Sequence, residues 1–250
     1  MKLSESIADN LSFVIICVAV VALFVALSVV YERVMRTKSG STERILSTRK
    51  IVVIGIFSAI ATILFMLDFP VMFAPAFYKL DFSELPAIIA AFAYGPVAGV
   101  MIELIKILLK LVIKGTSTAF VGELANFMVG VSFVLPAAMI YLRHKTRKTA
   151  IVSCVVATVI MAVFGSVFNA VYLLPAFSSL YGMPLEAIID MGHKINPAIS
   201  DVTTFVALAV APLNLLKGLL VSLITLLVYK KLSPVLKSGF QSGGNKGKKA

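Results

Sequence analysis

The feature that most constrains this chain is a series of long apolar runs almost free of charge. The first, Leu11–Tyr31, holds about 21 residues, enough for a helix to cross a ~30 Å hydrocarbon layer. Further runs lie at about 50–69, 121–142, 150–173 and 205–229. Hydrophobic residues make up 60% of the sequence and charged ones 14%, against roughly 45–50% and 25% in a soluble domain. No soluble core of this length hides so much apolar surface, so lipid must be the solvent for much of it. A cleaved signal peptide fits the first run poorly, because Glu5 and Asp9 precede it with only Lys2 and the apolar region is too long. It reads as a retained helix with its N-terminus outside.

The formal charge of +11 would suit nucleic acid if it were spread over one surface. It falls instead into clusters beside the apolar runs: Arg33, Arg36, Lys38, Arg44, Arg49 and Lys50; Arg143, Lys145, Arg147 and Lys148; and Lys230, Lys231, Lys237, Lys246, Lys248 and Lys249. Cytoplasmic flanks of membrane helices carry such an excess, so the clusters report topology and exclude nucleic acid as a partner. They also settle the stretch 82–114, which Tyr94-Gly95-Pro96 interrupts. As one span it would put the later clusters on the side opposite the first; as a hairpin of two short helices, all three share the cytoplasm.

The expectation is therefore an all-α integral membrane protein with seven segments, its N-terminus outside and its C-terminus inside. An extra N-terminal transmembrane helix (1–35) and a basic cytoplasmic linker (36–49) lead into a six-helix domain (50–232), and a basic tail (233–250), disordered from about Ser238, ends it. Pro70–Ser83, Lys114–Phe120 and Leu174–Thr204 lie outside. The last is long enough to act as a lid, with a short amphipathic helix over Pro184–Met191 ended by Asn196-Pro197.

Polar groups at membrane depth are functional candidates. Lys217 lies inside the final span in Ala-Pro-Leu-Asn-Leu-Leu-Lys-Gly, with Asn214 three residues earlier on the same helix face and Pro212 bending the helix nearby. An amide beside an ammonium, opening into a pocket, suits a ligand edge rich in carbonyls and ring nitrogens; pairing with a neighbouring helix is the structural alternative. Asn169 fits either a ligand contact or an interhelical hydrogen bond. Glu103, Lys106 and Lys110 share one helix face and read as an internal ion pair bracing the hairpin. The run Gly122-Glu123-Leu124-Ala125-Asn126 opens a helix at the outer face, where pocket and capping roles are both open. The loop 73–84, with Phe77, Tyr78 and Leu80, offers aromatic rings that either anchor at the interface or stack on a flat ring. In it Asp81 reads as a cap of the next helix, with Glu84 completing a capping-box-like pair.

No phosphate-binding G-x-x-x-x-G-K-[ST] occurs, His144 and His193 lie far apart, and Cys17 and Cys154 sit inside apolar runs. The expectation is a chain with no catalytic residue, no metal site and no enzyme activity.

The runs LDFSELPAIIAAFAYGPVAGVMIELIK (80–106), GELANFMVGVSFVLP (122–136) and APLNLLKGLLVSL (211–223) resemble the riboflavin-specific S components of energy-coupling factor (ECF) transporters over about residues 48–237. The resemblance implies a six-helix S-component fold in the bacterial plasma membrane that binds riboflavin, as transported ligand rather than cofactor, at the outer face. It implies as partners a transmembrane T subunit and two ABC ATPases, with the S component toppling in the membrane to release its cargo. Asn214 and Lys217 match residues that hydrogen-bond the polar edge of the isoalloxazine, Asn169 an Asn of the fifth core helix, and Asp81 an acid at the pocket mouth. With Phe77, Leu80, Glu123 and Asn126 these form the candidate ligand set. The sequence departs from the family pattern at Ala170-Val171, where aromatics are frequent, at Glu84, where Asp is common, and in the leading helix. Gly55, Ser58 and Ala59, with Ala61, give the first core helix a face of small residues, which the resemblance makes the T-subunit docking surface and which plain packing also explains. The other readings are an S component for another vitamin, such as thiamine or a pyridoxine-like ring, and a stand-alone facilitator.

Overall fold

The computed structural model describes residues 11–38, 40, 44–116 and 118–241. Its helices are α1 (Leu11–Lys38), α2 (Thr48–Met66), α3 (Glu84–Tyr94), α4 (Pro96–Lys114), α5 (Val121–Tyr141), α6 (Arg147–Phe168), α7 (Leu174–Tyr181), α8 (Leu185–His193), α9 (Val202–Phe205) and α10 (Ala211–Gln241). Two-residue strands β1 (Phe69–Pro70) and β2 (Lys79–Leu80) pair antiparallel between α2 and α3. Among the described residues, five continuous helical stretches are long and apolar enough to cross a membrane: Val14–Lys38, Thr48–Met66, Val121–Tyr141, Arg147–Leu180 and Val202–Val228. On α2, the side chains of Ile51, Val52, Ile56 and Ile63 are all more than half exposed, a surface that lipid or another apolar helix covers cheaply and water does not.

The stretch 82–114 is the expected hairpin. Gly95, at φ 99°, makes a turn that a side chain would strain, and Pro96 starts α4 at the position where its missing N–H has no helical partner. The two helices run antiparallel about that turn: a methyl at Gly99 would meet Ala87 and Ala91, and Lys106 reaches Glu84 at 3.3 Å. One part of the expectation changes. With eleven residues α3 is about 16 Å long, half of a hydrocarbon core. It therefore starts at mid-depth, and the chain brings Asp81, Ser83 and Glu84, each at most 3% exposed, down to that level. Helix α3 is small-residue-rich, and its Ala87, Ala90 and Ala91, with Ala98 of α4, share a core cluster with Phe133, Val134, Ala137 and Ala138, with Phe92 stacked on Tyr141 at 4.2 Å.

Asp81 does not build a capping box. Ser83 is the N-cap of α3 and makes no side-chain cap, while Asp81 Oδ1 accepts the Ser83 N–H at 2.8 Å and Oδ2 turns to Lys217. The buried ammonium outcompetes a helix N–H for the second oxygen. The C-terminal segment also differs from expectation: α10 continues to Gln241, through the first half of the stretch read as a tail, and residues 242–250 lie outside the described residues.

The leading helix α1 packs on α4 and α5. Tyr31 donates to the Met139 carbonyl at 2.6 Å, and Phe24 meets Phe127 edge-on. Below them Glu32, 1% exposed, accepts from Lys50 at 2.7 Å, from Arg36 at 2.8 Å and from the Val97 N–H at 3.2 Å. It thus caps the N-terminus of α4 and ties three segments together beside the Gly95 turn, at the end of the molecule that carries the basic clusters.

Candidate ligand cavity

At the opposite end lies a cavity of about 540 Å³, framed by α2, the β1–β2 hairpin, α4, α5, the turn that follows α6, α7 and α10. Two prolines shape it. Pro175 and Pro212 each stand second in their helix, and each lacks the N–H that a regular α-turn needs. The chain answers with π-helical turns directly before them, Asn169–Leu173 and Val206–Val210, in which Leu174 N–H bonds Asn169 O and Ala211 N–H bonds Val206 O. The two turns touch each other; the first carries Asn169 and the second is followed on α10 by Asn214, and both asparagines line the cavity.

Asn169, 3% exposed, opens the first π turn; its amide donates to Gly165 O at 2.7 Å and its Oδ1 accepts from the Tyr78 hydroxyl at 2.6 Å. Burial pushes the Tyr78 phenol up from its ordinary pKa, so this hydroxyl stays a neutral donor. Asn214, one turn after the second π turn, donates to Val210 O at 3.1 Å and packs where Gly165 leaves room for it. Lys217 follows on the same face, paired with Asp81 at 2.9 Å and Glu84 at 2.7 Å. Lys106 lies beyond, against Ser83 Oγ at 2.7 Å, Glu84 at 3.3 Å and Glu103 at 2.6 Å. The bridge from Lys106 to α3 has the bracing role expected of Glu103 and Lys106. The link onward to Lys217 was invisible in sequence, because 84 and 217 come together only through tertiary packing.

The other wall is polar too. Glu123 is buried at the start of α5 and accepts from Lys110, from Thr116 at 3.0 Å and from Thr118 at 2.9 Å. Asn126 Oδ1 is buried on the cavity side with no hydrogen-bond partner among the described residues, so it can accept from a donor in the cavity. Phe77, Tyr78 and Phe177 form the aromatic side, with the Phe77 and Phe177 rings edge-on at 5.9 Å. Of the residues singled out from sequence, Asn214, Lys217, Asn169, Asp81, Phe77, Glu123 and Asn126 line this one cavity. Leu80 is 1% exposed in the apolar cluster beside it, because the strand alternation that aims Lys79 outward turns Leu80 inward. Sequence reasoning offered the Tyr78 ring for stacking but left it out of the candidate ligand set, and it overlooked Phe177. Among the described residues no group of His, Cys, Asp and Glu has the arrangement of a metal site.

The expected small-residue face of α2 is divided. Gly55 and Ala59 look outward among Val52, Ile56 and Ile60, whereas Ser58 and Ala61 are fully buried against the core. Three residues advance a helix by 300°, which carries Ser58 off the outward side.

Comparison with known proteins agrees with this architecture. The model of the ECF transporter substrate-specific component matches residues 49–229. The chain is 35% identical over 192 residues to the riboflavin transporter FmnP of Bacillus subtilis (strain 168), covering 76% of this chain and 94% of that protein. It is 34% identical over 189 residues to the riboflavin transporter RibU of Staphylococcus aureus (strain TCH60), covering 76% and 93%. A solved S component of a bacterial ECF transporter superposes with a TM-score of 0.59 at 34% identity, covering 76% of this chain and 98% of its own. Helix α1 precedes the matched residues. With a family match over most of the chain and relatives covered almost end to end, the chain belongs to the substrate-specific components of ECF transporters.

Proposed function

We propose that the chain is the riboflavin-capturing subunit of an ECF importer. The observation that carries the reading is the meeting of Asn214 and Lys217 with Phe77, Tyr78 and Phe177 in one cavity. A flavin has a flat apolar body, an edge of carbonyls with one ring N–H, and a hydroxylated side chain. The aromatic side suits the ring, Lys217 and Asn214 can donate to the carbonyl edge, and Asn126 Oδ1 can take a donor. The threonines, Glu123 and Asn169 offer partners to hydroxyls. The volume falls within the roughly 300–1,000 Å³ usual for small-molecule sites. The relatives named as riboflavin transporters support the same cargo.

In this reading the basic end faces the cytoplasm, the cavity faces outward, α1 begins outside, and the C-terminus lies inside the bacterial cell membrane. The chain hydrolyses nothing itself; a transmembrane T subunit and two ABC ATPases supply the work. Gly55 and Ala59 form the surface on which the T subunit docks closely, an outward face that α1, packed on α4 and α5, leaves free.

The test is direct. Purified protein is expected to be yellow, to quench flavin fluorescence on titration, and to lose at least tenfold in affinity on Lys217→Met, the loss of one charged hydrogen bond. A colourless protein that leaves added flavin fluorescence unchanged would remove riboflavin as cargo. For the docking face, Ala59→Trp should abolish co-purification of the T subunit and leave flavin binding intact.

A further inference from the structure

Lys217 reaches the cavity with two of its three N–H groups already engaged. Asp81, which lines the cavity, takes one at 2.9 Å. Glu84, which does not line it, takes the other at 2.7 Å through Oε1. An ammonium has three donors, so one remains for cargo. Its direction is set by where the other two are held.

Both acids are held, Asp81 by the Ser83 N–H at 2.8 Å, but Glu84 is the one tied onward to a second buried cation. It is the first residue of α3 and 1% exposed, and the same Oε1 lies 3.3 Å from Lys106 on α4, which is itself held by Ser83 and Glu103. Glu103 lies in a recess on α5 that Gly130 leaves open, since a Cβ there would overlap its carboxylate. A line of charges thus runs from α4 through α3 to α10 behind the cavity wall, seated at its α4 end in a recess of α5. A lysine on a four-carbon stem has many rotamers, and holding it before cargo arrives removes an ordering cost from the binding step. We infer that Glu84 is the positioning residue for Lys217, setting the cargo-facing ammonium from a place the cargo never touches. The inference rests on the flavin-binding reading.

A double-mutant cycle on riboflavin binding tests it. Glu84→Gln is expected to weaken binding about tenfold in the otherwise wild-type protein. In a Lys217→Met background the same change should move Kd by less than about twofold, because Glu84 acts only through the lysine. A residue that merely holds the fold would cost the same factor in both backgrounds, and that result overturns the inference. So does an unchanged Kd on Glu84→Gln alone. If Glu84→Gln does not fold, the pair Glu84→Gln with Lys106→Gln removes one buried charge of each sign and takes its place in both backgrounds, with the same expectation. Wild-type protein that binds no flavin fails at the first titration, before any variant is compared, and overturns the flavin reading together with this one.

Discussion

Glu32 is the residue through which the additional helix grips the family's six-helix core, and replacing it tests that grip. It satisfies Lys50, which is 2% exposed, Arg36, and the Val97 N–H at the start of α4. Glu32→Ala removes the one acid that pairs with Lys50 among the described residues and leaves a buried ammonium beside a second cation. Breaking a buried pair from one side costs about 3–5 kcal/mol, and the freed α4 N–H adds to it. In a protein of this size each kcal/mol moves the melting temperature by about 2–4 °C, so the expected fall is roughly 6–20 °C. Lys50→Met alone should cost less, because Arg36 still faces Glu32. The double variant should cost clearly less than the sum, since it no longer strands Lys50. The assay is thermal unfolding of detergent-purified protein, with flavin affinity measured alongside. Affinity should hold, because Glu32 sits at the far end of the helices from the cavity. A melting point within a degree or two of wild type, or strictly additive losses, would refute the claim that α1 is anchored by this cluster.

Other predictions concern the cavity and its backing. Tyr78→Phe removes the hydroxyl that Asn169 Oδ1 accepts at 2.6 Å, and should destabilise the ligand-free protein by about 1–3 kcal/mol in a denaturant melt. If a flavin group takes up the freed Oδ1, that loss should shrink when flavin is present. Gly130→Ala sets a methyl against the Glu103 carboxylate, and the forced shift should cost about 1–3 kcal/mol of stability; an unchanged melt would mean that the recess has room to spare.

Much of this was legible in the sequence, and the parts that were not share one cause. Hydropathy and charge placed the membrane helices and forced the turn at Gly95, because lipid and the sidedness of Lys and Arg act on local segments. The Asn214–Lys217 face was readable from spacing on one helix. What stayed hidden depends on depth and on partners distant in the chain. That α3 is only half a bilayer long could not be seen while 82–94 was an apolar run, so Asp81 was read as a helix cap rather than the buried partner of Lys217. Ser58 was placed beside Gly55 and Ala59 because all are small, although helical periodicity sends it inward. Glu32 passed unnoticed among basic neighbours, yet its i, i+4 spacing to Arg36 was a signal that could have found it.

The two prolines join these levels. At Pro212 an ordinary helix would aim an N–H at the carbonyl of residue 208; with no N–H and a bulky ring, the turn widens to i→i−5 instead. A widened turn inserts one residue, which rotates everything beyond it by about 100° relative to what precedes it. Asn214 and Lys217 face the cavity, while Val202–Phe205 keep their packing on the other side of the turn, because that rotation is built in. Pro212→Ala removes the obstacle to a regular helix. If the π turn exists because of the proline, the variant is expected to relax towards α-geometry and swing Asn214 and Lys217 away, weakening flavin binding by at least tenfold with little loss of helix content. Pro175→Ala should act likewise through Asn169, and more weakly, because Tyr78 also holds that amide. Binding that survives Pro212→Ala unchanged would show that tertiary packing, and not the missing N–H, holds the turn open.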